Sequence, residues 1–217
     1  MFLRYEDVGE LPYREVVVTF ASLWVFEQLA DKWELDDNMA MENFVRQTAG
    51  VSEMGGARGY ALERIAHRKL AQGGKFKVRQ LDENGTKTEP VIVEFKPLPT
   101  LEFDKLEEIK VDEDAYGKPK SKSFAVVDAL SFRVLGKKTD GFQMTTSHDH
   151  SPKHQRLKEL LDAAGIKTCD TFCLYFVVHE DKFDDYKFQK YRKTGKGYMK
   201  ARGVVKQVQQ WVLLMPV

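Results

Sequence analysis

The period of the apolar positions changes several times along the chain, and each change marks an element. Leu23-Trp-Val-Phe-Glu-Gln-Leu-Ala-Asp-Lys-Trp repeats at helical spacing, with Ser22 placed as its N-cap. Just before it, Glu15-Val-Val-Val-Thr-Phe is β-branched and suits a short strand. Met39, Met41, Phe44 and Val45 mark a second helix, capped by Asp36 or Asp37 and ended by Gly50. Gly55-Gly56 interrupts the chain. A strong helix over 58–72 follows, its apolar face made of Tyr60, Leu62, Ile65, Ala66 and Leu70, and Gly73-Gly74 closes it. The period then drops to two. Phe76, Val78 and Leu81 predict a strand, Asp82-Glu-Asn-Gly-Thr a hairpin turn, and 90–95 the returning strand. Residues 96–121 are polar and broken by Pro97, Pro99, Gly117 and Pro119, with an edge strand over 101–109 as the one candidate element. The near-continuous apolar runs 124–132 and 142–146 suit strands buried on both faces. A helix over 152–164, capped by Asp149 or Ser151, is ended by Gly165. The run from Thr171 predicts a buried strand, 181–189 a short helix or turn, and the run from Val208 a last strand. The order is that of an α/β protein with a mixed sheet flanked by helices.

Composition narrows this little. The chain has 217 residues, 42% hydrophobic and 31% charged, which suits a folded core and argues against disorder. A net charge of +1 does not demand a polyanionic partner. The distribution is more telling, because the first third is acidic and 182–206 is strongly basic. Two cysteines, Cys169 and Cys173, are too few for a disulfide framework or a zinc ribbon, and sit among apolar neighbours as core residues do. No apolar run approaches the roughly 18 residues that a membrane-spanning helix needs, and the first fifteen residues show no basic-then-apolar signal pattern. No GxxxxGK[ST] phosphate loop is present.

Candidate chemistry collects at strand ends. Asp128 ends one apolar run, and Gln143 and Thr145, two apart and so on one face, lie in the next. If the two strands pair, all three meet at one edge of the sheet, and Glu63 on the 58–72 helix is a fourth polar candidate. This resembles the PD-(D/E)xK arrangement of restriction-endonuclease-like proteins. Structural roles for the same residues, Asp128 ending a strand and Gln143 satisfying backbone groups, are the alternative.

A more specific resemblance rests on GARGYALERIAHRKLAQGGKFKVRQL, SKSFAVVDAL, FQMTTSHDHSPKHQRLKELLDAAG, LYFVVHEDKFDDYKFQKY and VQQWVLLM. Over about residues 56–215 these segments resemble the C-terminal region of Crinkler effector proteins and their retrotransposon-hot-spot-type relatives. The resemblance implies a restriction-endonuclease-like domain over 55–217, preceded by a helical extension over 1–54 that would be the end of an upstream NTPase-type module. It implies a Mg²⁺-dependent (or Mn²⁺-dependent) DNA endonuclease, with a host protein as another partner, in a secreted effector acting in the host cell and its nucleus. Asp128, Gln143 and Glu63 would hold the metal, and Thr145 and Lys153 would meet the scissile phosphate or water. Two departures stand out. Gln143 takes the place of an Asp or Glu, and Thr145 that of a Lys. Loss of an anionic ligand lowers Mg²⁺ affinity, and threonine supplies no cation. A catalytically degenerate fold that binds DNA or a host protein is therefore the competing expectation.

Two further clusters carry candidate chemistry. His148, His150 and His154 fall in one turn and the start of a helix, where His150 and His154 could share a face and bind Zn²⁺, or lie in a merely solvated turn. The basic segment interleaves Phe183, Tyr186, Phe188, Tyr191 and Tyr198 with Lys187, Lys190, Arg192, Lys193, Lys196, Lys200 and Arg202, a composition suited to phosphates and bases. Arg58 and Lys69 could widen that surface.

Overall fold

The structure, a computed structural model, describes residues 2–4, 17–19, 22–36, 38–108, 113–121, 126–133, 138–166 and 172–217. The chain divides into two compact units, Met1–Ile65 with Val217, and Ala66–Pro216.

In the first unit, β1 (Phe2–Arg4) and β2 (Val17–Thr19) form an antiparallel pair. Two helices follow, α1 (Leu23–Asp36) and α2 (Asn38–Gln47). Ser22 caps α1 as its residue type suggests, its Oγ accepting from the Val25 amide at 3.3 Å. Phe26 is fully buried and meets the rings of Trp33, Phe44 and Tyr60, so the apolar stripe of α1 is a packing stripe. The next helix, α3 (Gly55–Gln72), begins three residues earlier than its sequence suggests and takes Gly55 and Gly56 into its first turn. Arg58, at 3% exposure, donates from Nε to the Val45 carbonyl at 2.9 Å.

The second unit is built on one mixed sheet of eight strands. They are β3 (Gly74–Leu81), β4 (Val91–Phe95), β5 (Thr100–Phe103), β6 (Ala115–Pro119), β7 (Ala129–Arg133), β8 (Lys138–Met144), β9 (Phe172–Val178) and, last, β12 (Gln209–Leu214). Their order is β4-β3-β12-β9-β8-β7-β6-β5. β6, β7 and β8 run as an antiparallel meander. β8 and β9 are parallel, as a crossover through α4 (His154–Ala163) requires, and β12 is parallel to β9. The β3–β4 hairpin turns at Asn84-Gly85, where Gly85 has φ of 83° and Asp82 accepts from the Gly85 and Thr86 amides.

One face of this sheet is an aromatic layer. Phe142 stacks on Tyr175 with centroids 5.6 Å apart, and Phe95, Tyr116 and Trp211 extend the cluster. The other face carries Leu130, Phe132, Leu174, Phe176 and Val212, packed with Leu157, Leu160 and Leu161 of α4. Alternation along β8 puts Phe142 on the first face and Gln143 on the second. Among the described residues no helix is long and apolar enough to cross a membrane.

Several elements differ from the pattern reading: among the described residues the strand expected over 124–132 begins only at Ala129, and the edge strand expected over 101–109 is Thr100–Phe103. β6 is an interior strand in a segment whose Gly117 and Pro119 argue for a break. It survives because Gly117 lies where a Cβ would press on Phe132 at 3.1 Å and Phe103 at 3.2 Å, while Pro119 stands at the strand's end, beyond its pairing with β7. β8 begins at Lys138, four residues before its apolar core, because Thr139 and Asp140 pair with β7 and β9 rather than turning. The basic segment is partly regular, with a short helix α5 (Glu180–Phe183) and a small hairpin of β10 (Tyr191–Arg192) and β11 (Tyr198–Met199).

Candidate functional site

Asp128 stands one residue before β7, and Gln143 is the penultimate residue of the antiparallel β8. The Asp128 amide donates to the Phe142 carbonyl at 2.8 Å, continuing the β7–β8 ladder and placing Asp128 opposite Gln143. Its Oδ2 accepts from Gln143 Nε2 at 3.0 Å and from the Met144 amide at 2.6 Å. Gln143 is 8% exposed and Asp128 half-buried, so these bonds are sheltered from competing water.

Thr145 is also buried, but its hydroxyl accepts from the Ser147 amide at 3.0 Å, which turns the chain out of β8. Its own amide donates to the Val177 carbonyl of β9. It therefore acts on its own backbone, as hydroxyl residues at turns do. Lys153 is exposed at the N-cap of α4 and makes a backbone bridge with Arg192. Glu63 is half-buried on α3 and belongs to the first unit.

The donors suit a divalent cation poorly. Mg²⁺ is held through anionic and neutral oxygens. Here one oxygen of the single strand-end carboxylate already accepts two N–H groups, and the neighbouring side chain presents its amide NH₂ to that carboxylate. Among the described residues no group of three or more His, Cys, Asp and Glu side chains that could hold a metal ion comes together.

The histidines separate, against the expectation of a shared helical face. α4 starts at His154, so His150 is not helical. His148 is exposed, while the His150 amide donates to Gln189 Oε1 at 2.8 Å. Burial, then the Arg192 charge, push the His150 imidazole below its ordinary value. His154 is buried against Tyr191, its Nε2 accepting from the Arg202 amide at 3.2 Å. His67 pairs with the Tyr116 hydroxyl at 2.9 Å inside the second unit, as a packed histidine.

The basic segment is fastened to the loop that leaves β8. Gln189, at 4% exposure, holds that loop from within: its Nε2 donates to the His148 carbonyl at 3.0 Å while its Oε1 takes the His150 amide. Gln189 is itself held by Gln210 of β12 through two 2.9 Å bonds. The Arg192 amide donates to the Pro152 carbonyl, and Asp149 accepts from Arg192 at 3.5 Å and from Tyr198 at 3.3 Å. Lys187, Lys190, Arg192, Lys193 and Lys196 are all exposed. Their segment is thus fastened to the loop that follows Gln143 along the chain, whose turns are made by Thr145, Ser147 and Asp149. Arg58 does not join this exposed set, because its guanidinium is buried and bonded to Val45. Lys69 donates to the Pro216 carbonyl.

Sequence reasoning missed Gln189 and Asp140. Asp140 is fully buried between Arg133, with which it forms an ion pair, and Lys138 at 3.6 Å, and it also accepts from Ser131. Cys173, opposite Asp140 on β9, is half-buried and its thiol is pushed up by burial. Cys169 lies outside the described residues.

Comparisons with protein-family models, with curated proteins and with solved structures find no match for this chain.

Proposed function

We propose that the second unit is a restriction-endonuclease-like core that binds nucleic acid without cutting it. The observation that carries this reading is the hydrogen bond from Gln143 Nε2 into Asp128. Two strand-end carboxylates would need a proton or a cation between them, whereas an amide donating to a carboxylate satisfies it with neither. The sheet supports the ancestry. Strands β6, β7, β8, β9 and β12 lie side by side in that order, β7 alone antiparallel to the other four, with the polar pair where the start of β7 meets the end of β8. The exposed cations on the segment fastened to the loop after β8 support a phosphate-bearing ligand. The Crinkler-type setting implied by the resemblance, with nuclear DNA of a host as the target, belongs to the same proposal.

The test is binding and cleavage in parallel. The chain is expected to shift labelled DNA or RNA at low salt and to leave plasmid and oligonucleotides intact with Mg²⁺ or Mn²⁺. Metal-dependent cutting that disappears in Asp128→Ala would overturn the non-cleaving half. Absence of binding at low salt, where phosphate contacts are strongest, would overturn the other half.

A further inference from the structure

The β10–β11 hairpin has one buried side and one exposed side. Tyr191 points inward at 4% exposure, edge-on to His154 at 6.1 Å and to Phe188 at 6.2 Å, and Met199 packs against the same core. Their strand neighbours Arg192 and Tyr198 are directly paired across the hairpin and exposed. Tyr198 remains 48% exposed, yet it is held by two contacts. The Arg192 guanidinium lies over one face of the ring, 6.0 Å from its centroid, and the phenol hydroxyl donates to Asp149 at 3.3 Å. Ser151 also donates to Asp149, and that bond first, then the Arg192 charge and the Tyr198 bond, hold the carboxyl below its usual range. Lys190, Lys193, Lys196 and Lys200 lie in and beside the same hairpin segment and are all exposed.

The hydroxyl is therefore committed, and to an anion. A phosphate brought to that end of Tyr198 would meet the Asp149 carboxylate. With Arg192 over one face, what the half-exposed ring still offers is the opposite face, and a face in a lysine-rich segment suits a flat aromatic group carried on a phosphate chain. In a duplex the bases cover one another and present only edges and backbone. In a single strand each base has a face to give.

Resting on the nucleic-acid reading above, we infer that Tyr198 is a stacking platform for an unpaired base and that single-stranded nucleic acid is the preferred ligand of the hairpin. The lysines take the flanking phosphates, and Asp149 keeps the phosphate chain off the ring and fixes its orientation.

The experiment is fluorescence anisotropy on the full chain with a labelled homothymidine strand and a duplex of the same length at low salt. The parent is expected to bind the single strand more tightly. Tyr198→Ala is expected to weaken that binding by about tenfold or more, the loss of one base–aromatic stack, while changing duplex binding by less than about twofold. Tyr198→Phe keeps the ring and is expected to retain single-strand affinity within about threefold, the hydroxyl being an orienting group alone. Equal losses on both ligands in Tyr198→Ala, or no loss on either, would overturn the platform while leaving nucleic-acid binding in place. Failure of the parent to bind either ligand would overturn both the platform and the reading on which it rests.

Discussion

A glutamine and a carboxylate at position 143 make opposite demands on Asp128. The glutamine donates to it, with the Met144 amide as a second donor. A carboxylate there would face another at hydrogen-bond distance, and one of the two would have to be protonated or bridged by a cation. Gln143→Glu is thus expected to lower stability by about 1–3 kcal/mol in a chelator, or roughly 2–10 °C in melting temperature for a domain of this size. Mg²⁺ should then raise the melting temperature of the variant and leave the parent unmoved. A variant that melts like its parent with and without metal would show that the amide does not set the character of this site. His150 offers a second test at this scale. Burial first and Arg192 second depress its pKa below the ordinary 6.5. The unfolded chain therefore takes the proton more readily, and stability from neutral His150 is complete above about pH 6.5 and lost as pH falls below it. Asp149 is depressed as well, chiefly by the Ser151 hydrogen bond, so its contribution is lost only below the ordinary carboxylate value of 3.8, in a separate window. Melting temperature is expected to fall between about pH 7 and about pH 5.5, and His150→Gln to flatten that slope. That the runs holding Asp128 and Gln143 pair was legible in the sequence, but the place of Asp128 was not, since it stands just before β7 rather than at the end of a strand. The burial of Asp140 was not, since an acid followed by glycine has the look of a turn until Arg133 and Lys138 are known to flank it.

Elements differ in how far their neighbours decide them. The helices and the strands β3, β4, β9 and β12 follow from period and punctuation alone, and all four strands appear close to their expected places. β6 does not, because its strand character comes from Phe103 and Phe132 closing over Gly117. The β10–β11 hairpin is only two residues per strand, too short for any periodicity, and it exists because Tyr191 is anchored and Arg192 bonds to Pro152. Gln189 holds the loop after β8 through residues 39 and 41 positions away, a relation that no local pattern carries. Gln189→Ala would leave the His150 amide and the His148 carbonyl without that partner, at a cost of roughly 2–4 kcal/mol. Urea unfolding should show the full loss, and a loss under about 0.5 kcal/mol would mean that the loop is held by other contacts. The junction between α3 and β3 is similarly decided. Gly73 has φ of 71°, and a Cβ there would stand 2.5 Å from the Pro97 nitrogen and 2.6 Å from the Phe95 carbonyl oxygen. Backbone cannot yield as a side-chain tip can, so Gly73→Ala is expected to cost more than the roughly 1 kcal/mol of an ordinary left-handed alanine. Denaturation midpoints against Gly50→Ala, which also has positive φ but meets nothing within 4 Å, separate the clash from the conformational cost.

Across the whole molecule, near-neutrality sharpens the expectation for the basic segment. With a net charge of +1 the chain exerts no general pull on a polyanion, so binding must come from where cations are concentrated and acids are few. Residues 187–202 carry seven lysines and arginines and no acid, and all seven are exposed in and beside a structured hairpin. Each phosphate contact contributes about 0.7 to 0.9 to the slope of log affinity against log salt. Reversing Lys190, Arg192 and Lys193 to glutamate together should therefore lower that slope by about two. Arg192 counts for less than a full contact, because Asp149 already pairs with it. Anisotropy across a salt series reads the slope directly. Tyr198→Ala removes no charge, so its line should run parallel to the parent's and below it. A triple reversal that leaves the slope intact would place the phosphate contacts elsewhere, and a Tyr198→Ala line that converges with the parent's would mean that the ring acts through the cations beside it rather than through a base.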